Sequence, residues 1–289
     1  MQKPAQPKIA FITGGSSGIG LALAQRLARQ GANVWLVART PERLAAAVET
    51  VKAARLNDHQ LFGYTIADVA DPLQVDAAVA EVTQVLGAPD LVINSAGFAQ
   101  PGYFHEQELH IFHLTMSVNY FGTLNVIRAV LPGMMQRKSG QIINISSESG
   151  FLGLFGYTAY SASKFAVAGF SDALRPELQA QGIHLSVVYP PDVDTPQLEY
   201  ETQYQPPELR ALAPLRTVMS ADAVAKIILE EAARGMYMIL PGFDAKFMYF
   251  LTRFLGRATY PAVDLVMKVL WKRSQKTKNI QANNGKEAG

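Results

Sequence analysis

The chain has no cysteine among its 289 residues. That excludes disulfides and thiolate-bound metal, and no metal site is expected. It also suits a reducing compartment. No apolar run precedes the segment KIAFIT (8–13), so neither a signal peptide nor an N-terminal membrane span is expected. No internal repeat is present. A strong charge of one sign is missing too, because the formal net charge is +2. The small total conceals an uneven distribution. Residues 244–278 carry Lys246, Arg253, Arg257, Lys268, Lys272, Arg273, Lys276 and Lys278 against Asp244 and Asp264, a net +6, which leaves the rest at −4. A mildly acidic body with a basic tail points to a surface partner for the tail. No nucleic-acid partner is expected.

What the chain does have is apolar residues, about half of the total, enough for one large α/β core. Seven short runs read as buried strands: KIAFIT (8–13), NVWLVA (33–38), LFGYTI (61–66), DLVIN (90–94), GQIINIS (140–146), HLSVVYP (184–190) and MYMIL (236–240). Segments of helical period separate them. Runs apolar on both faces, alternating with helices, imply a doubly wound, mostly parallel seven-stranded sheet covered on both sides. Thr40-Pro41 and Asp71-Pro72 match a helix N-cap followed by proline at the first helical position. Gly31 and Gly182 sit where helices should stop. Residues 192–219, rich in Pro, Gln and Glu, read as a long loop that is either functional or disordered.

TGGSSGIG (13–20) follows the first strand and opens a helix. Glycines let backbone approach a pyrophosphate, and the helix N-terminus faces its negative charge. The end of the second strand usually carries an acid when the ligand is NAD. Here Ala38 stands in that place, followed by Arg39, with Arg43 one helical turn on. A guanidinium pairs with a 2′-phosphate, so the expected cofactor is NADPH/NADP, with Arg39 and Arg43 as its contacts.

Tyr160 and Lys164 lie four apart in GLFGYTAYSASKFA (153–166), so on a helix they leave the same face. A phenol of pKa about 10 is a poor acid at neutral pH, and a nearby ammonium favours its ionised form. It could then pass a proton to a carbonyl oxygen as hydride reaches the carbon. Ser147, at a strand end thirteen residues earlier, is placed to hold the same oxygen.

With TGGSSGIG, NSAG (94–97), Asn119 within SVNYFG, Ser147 and YSASK (160–164) together, the chain resembles the short-chain dehydrogenase/reductase family from about residue 8 to 240. The resemblance implies a Rossmann catalytic unit. Tyr160 would be the general acid-base, while Lys164 would lower its pKa and hold the nicotinamide ribose. Ser147 would orient the substrate, and Asn119 would anchor a water leading from Lys164. It further implies cofactor contacts at Gly14, Ser16, Ser17, Gly18, Ile19 and Gly20. Others follow at Asp68 and Val69 for the adenine, at Asn94, Ala96 and Gly97, and at Pro190 and Thr195. Two positions depart from the family pattern: Ser95 replaces a common second asparagine, and Pro191 takes the place of a glycine in YPPDVDTP (189–196).

Within the family, GLFGYTAYSASKFA and YPPDVDTP resemble a narrower branch, the 3-ketosphinganine reductases. That implies NADPH-dependent reduction of the 3-keto group of a long-chain amino-ketone lipid. The loop 192–219 would then cover the acyl chain, with Glu199, Glu201 or Glu208 near the substrate ammonium. Phe247, Phe250, Leu251, Phe254 and Leu255 follow helical spacing, with Lys246, Arg253 and Arg257 on another arc. A second helix is expected near Pro261, with Val263, Val266, Met267 and Leu270 on one face. Such a pair suits a bilayer surface, or else packs on the body or on a sister subunit. The expected organisation is a catalytic domain over 1–243, an amphipathic tail over 244–273 and a disordered end over 274–289. The family also implies a homodimer or homotetramer. The expected location is the cytoplasm, with peripheral membrane contact. The rival readings are a ketoreductase of steroids, retinoids or β-ketoacyl lipids, a non-catalytic NADP-binding sensor or scaffold, and a membrane-interaction protein in which the tail is the function.

Overall fold

The computed structural model describes residues 8–212, 217–261, 264–265 and 268–271. Seven strands form one parallel sheet. They are β1 (Ile9–Thr13), β2 (Asn33–Ala38), β3 (Phe62–Ile66), β4 (Leu91–Asn94), β5 (Gly140–Ile145), β6 (Ile183–Val188) and an edge strand (Met238–Ile239), in the order β3-β2-β1-β4-β5-β6-edge. Each expected strand is present, trimmed by a residue or more in most cases; the last keeps only two residues. Val–Ile–Leu runs on β1, β4 and β5 are buried on both faces, as a sheet between two helical layers requires.

The helices are α1 (Gly18–Arg29), α2 (Pro41–Ala53), α3 (Pro72–Val85), α4 (Leu109–Met116), α5 (Gly122–Arg137), α6 (Thr158–Ala180), α7 (Pro196–Tyr204), α8 (Pro207–Arg210), α9 (Ala221–Ala233) and α10 (Phe243–Leu255). One apolar cluster joins α1, α2 and α9 to one sheet face; the other joins α3, α5 and α6 to the opposite face. Gly31 and Gly182 end their helices with φ of 91° and 75°, values that glycine adopts without strain. Asp71 caps α3 through its carboxylate, accepting from Leu73 N at 2.9 Å. Thr40 caps α2 by backbone conformation alone.

The segment 192–219 is not the expected loop. Thr195 caps α7 with its hydroxyl, accepting from Leu198 N at 3.3 Å, and Pro196 starts the helix. The short strands Val193–Asp194 and Met219–Ser220 pair beneath it. The helix is short and polar, so it carries almost no apolar period; its buried residue is Glu201.

In the tail, α10 presents two unlike faces. Ala245 is buried, and Tyr249 packs edge-on to Phe151 at 5.2 Å between ring centres. Phe243, Phe247, Phe250 and Phe254 stay exposed, as two stacked pairs. Helical turns follow at 260–261, 264–265 and 268–271, where Trp271 meets Tyr103 edge to face. Val263, Val266, Met267 and the expected disordered end at 274–289 lie outside the described residues. No helix among the described residues is long and apolar enough to cross a membrane.

Candidate active site

Strand order reverses between β1 and β4, and the loops leaving their carboxyl ends must part there. Such a point opens a crevice for a ligand. A cavity of about 570 Å³ occupies it. Gly14, Ser16, Ser17, Gly18 and Ile19 form one wall; Arg39 and Arg43 reach it from β2 and α2, and Asp68 and Val69 from β3. Ala96, Gly97, Ser147, Tyr160, Lys164, Pro190 and Thr195 complete the expected set on the cavity.

Three expected residues are not on its wall. Gly20 lies behind the loop, where a Cβ would come within 2.4 Å of the Gly14 carbonyl oxygen. It lets the start of α1 close onto the turn. Asn94 donates to Asn144 Oδ1 at 2.9 Å, and Asn144 donates to Ser171 Oγ at 2.9 Å. Asn94 therefore ties β4 to β5 and α6, as a strand pin would. Asn119 sits in a π-helical turn, Ser117–Phe121, a break that helices often make at functional sites. Its amide accepts from Phe98 N at 2.8 Å and donates to Phe98 O at 2.9 Å and to Ser163 Oγ at 2.8 Å. Ser163 in turn donates to the Tyr160 carbonyl at 2.7 Å. Asn119 thus braces the first turn of α6, which carries Tyr160.

Gly14 shows why the loop needs glycine. Its φ is 64°, and a Cβ would lie 2.7 Å from the Ser95 carbonyl oxygen. The loop passes directly against the β4 exit, leaving its amide edge and the start of α1 toward the cavity. That cradle fits the pyrophosphate of a dinucleotide, and two exposed arginines stand at its far end.

Across the cavity, the β5 exit is sewn to α6. Ser146 Oγ donates to the Lys164 carbonyl at 3.1 Å. Its neighbour Ser147 faces the cavity and hydrogen-bonds the Tyr160 phenol. Both serines line the cavity, but the Ser146 hydroxyl is committed to the α6 backbone. Lys164 is 4 % exposed, and its Nζ donates to the Ile145 carbonyl at 2.9 Å. The same Nζ lies 5.5 Å from the centre of the Tyr160 ring.

The electrostatics differ from the simple expectation of an acidified tyrosine. Burial pushes the Tyr160 phenol above its ordinary value; the Glu201 charge adds to this, while the Ser147 bond pulls the other way. Burial brings Lys164 down to about 8, with Glu201 opposing. Lys164 spends a hydrogen bond on backbone and sits beside the ring rather than at the hydroxyl. In the protein alone, the phenol is therefore held protonated, the form that can donate to a ketone.

Sequence reasoning missed Tyr157 and the anchoring of α7. Tyr157 donates to Glu201 Oε2 at 2.8 Å, and Gln197 donates to Glu201 Oε1 at 3.0 Å and to the Ala99 carbonyl at 3.1 Å. Tyr200 donates to Gln100 Oε1 at 2.9 Å. These partners are separated by 44 to 100 residues apart from the Gln197–Glu201 pair. The i, i+4 spacing of Gln197 and Glu201 was the one local signal.

A glycine cradle at a switch point, facing a serine–tyrosine–lysine set, defines an oxidoreductase that works on a CH–OH/C=O group with a nicotinamide cofactor. The short chain dehydrogenase family model matches residues 8–205. The chain belongs to that family. It is 38% identical over 242 residues to the 3-ketodihydrosphingosine reductase of Bos taurus, covering 83% of this chain and 73% of that one. The 3-dehydrosphinganine reductase of Danio rerio matches to the same extent, 38% over 242 residues, 83% and 73%. Among solved structures, levodione reductase superposes with a TM-score of 0.74 at 26% identity, covering 84% of this chain and 99% of that one.

Proposed function

We propose that the chain reduces the 3-keto group of 3-ketosphinganine to the alcohol, using NADPH. The similarity to reductases of that name over four fifths of the chain supports the substrate; the Ser147–Tyr160–Lys164 set on one cavity supports the chemistry. When bound, the nucleotide supplies the hydride. Ser147 holds the ketone oxygen through its hydroxyl and stabilises the charge that develops there. Tyr160, protonated and adjacent, delivers its proton to that oxygen. Lys164 and the glycine loop would hold the nucleotide, with Gly97, Pro190 and Thr195 also on the cavity to contact it. A clean test is NADPH oxidation with synthetic 3-ketosphinganine beside steroid, retinoid and β-ketoacyl panels. A kcat/KM for any rival substrate tenfold above that for the amino ketone would overturn the reading.

Preference for NADPH over NADH rests on Arg39 and Arg43, with no acid at the end of β2. Arg39→Ala is expected to raise the KM for NADPH about thirtyfold, a loss of about 2 kcal/mol typical of a charge-assisted contact. The KM for NADH should stay within about twofold. Equal losses for both nucleotides would remove the phosphate contact.

Residues 1–243 act as the catalytic unit in this reading, and 244–273 as a tail that contacts a membrane surface. The body-facing side of α10 is already used by Ala245 and Tyr249, so the exposed phenylalanine stripe is what remains for lipid. Phe250→Ser with Phe254→Ser should reduce co-sedimentation with anionic vesicles about tenfold or more, from the lost apolar area. The melting temperature should be unchanged. Undiminished sedimentation would argue against the surface role.

A further inference from the structure

The three glutamates of segment 192–219 have separate fates. Glu199 is exposed on α7. Glu208 is fully buried beneath Tyr103, which donates to its Oε2 at 2.6 Å, away from the cavity wall. Glu201 alone of the three is both buried, at 9 % exposure, and on the cavity wall with Tyr160 and Lys164. Burying a carboxylate costs several kcal/mol unless something compensates. Two neutral dipoles, the Tyr157 hydroxyl and the Gln197 amide, orient it. Those residues are themselves held: Tyr157 sits just before α6, its ring 5.8 Å from that of Tyr160, and Gln197 is tied to Ala99. The carboxylate is therefore set in place by the residue that precedes the helix carrying Tyr160 and by its own helix neighbour.

We propose that Glu201 is the ammonium-recognition residue, selecting a ketone with a primary amine on the adjacent carbon. This deepens the function proposed above and rests on it. In a 2-amino-3-ketone the nitrogen and carbonyl oxygen are three bonds apart across a single C–C link, roughly 3 Å when they lie on the same side. A ketone oxygen held between Ser147 and Tyr160 leaves the ammonium within the same small volume, and of the acids on the wall (Asp68, Glu148, Asp192 and Glu201) Glu201 is the buried one. Glu201 is the carboxylate whose charge is felt most by Tyr160, ahead of Asp192, and it is also felt by Lys164. A substrate ammonium would neutralise that charge as it docks. A substrate without an amine would bring no positive charge to Glu201 and would bind less well than the amino ketone.

The test pairs two variants with two substrates. The kcat/KM is measured for 3-ketosphinganine and for its N-acetyl derivative, with wild type, Glu201→Gln and Asp192→Asn. Wild type should prefer the free amine at least about thirtyfold, or about 2 kcal/mol. Glu201→Gln keeps an oxygen for the Tyr157 hydroxyl. It should lose about thirtyfold on the amine and less than about threefold on the N-acetyl ketone, which collapses the preference. Asp192→Asn should keep it. Equal wild-type rates on both substrates overturn the inference while leaving the ketoreductase reading intact, and this comparison needs no variant to fold. Equal loss on both substrates in Glu201→Gln, or collapse in Asp192→Asn instead, also overturns it. Failure of wild type to reduce the free amine, with turnover of a β-ketoacyl substrate, overturns the proposed function and this inference with it.

Discussion

Replacing Tyr160 with phenylalanine is expected to lower kcat by at least about a thousandfold, about 4 kcal/mol of transition-state stabilisation. The ring remains, so the packing with Tyr157 and the contact with Lys164 survive. What would be lost is the proposed proton donor to the ketone oxygen. Burial and the Glu201 charge hold the phenol in its protonated form, and no other acid in reach combines that form with the Ser147 hydroxyl at its side. Nucleotide affinity should stay within about threefold, since the glycine loop and the arginines are untouched. Fluorescence titration of NADPH checks the second half, and single-turnover kinetics the first. Activity within tenfold of the parent would reject Tyr160 as the donor.

Lys164→Met should show the second-largest effect, a loss of about a hundredfold or more in kcat/KM, together with a gain in stability near neutral pH. The ammonium is 4 % exposed and its pKa is lowered to about 8 from the ordinary 10.5, chiefly by burial. Below pH 8 both the native and the unfolded chain carry the proton, and the native state bears the full cost of the buried charge. Between about 8 and 10.5 the unfolded chain holds more proton, so stability rises with pH. From roughly pH 7 to roughly pH 9.5 this amounts to about 2 kcal/mol. The methionine variant lacks that rise. Urea midpoints at the two pH values measure the difference. A variant with the same pH slope as wild type would show that Lys164 is not the titrating group.

Much of the architecture was legible because apolar pattern and topology agree. Strands such as DLVIN and GQIINIS are apolar on both faces, which leaves a parallel sheet under two helical layers as the arrangement that buries them. TGGSSGIG was readable because strand, loop and helix follow one another directly. The α7 helix was not. Thr195-Pro196 repeats the cap signal seen at Thr40-Pro41, but the helix behind it is polar and shows no apolar face to read. The brace from Asn119 through Ser163 to Tyr160, and the Tyr157–Glu201 bond, join residues far apart in sequence except at Ser163 and Tyr160. Such partners exist only after the chain has folded. The charge state of Tyr160 was likewise hidden, because it depends on burial and on an acid 41 positions later in the numbering.

The amide relay from Asn94 through Asn144 to Ser171 has a consequence for how the molecule assembles. Leu91, Val92 and Ile93 of β4 run beside Ile142, Ile143 and Ile145 of β5, so sliding one strand along the other by a residue would still bury several oily side chains against oily neighbours. Hydrophobicity alone is therefore a weak judge of alignment here. Asn94 faces Asn144 directly in the observed pairing, and any slip would strand two carboxamides in a dry interior. These groups never meet a substrate, yet they set where the exits of two central strands fall relative to one another. The stagger of the loops that leave β4 and β5 toward the cavity is thus held by a pair of side chains acting as a ruler.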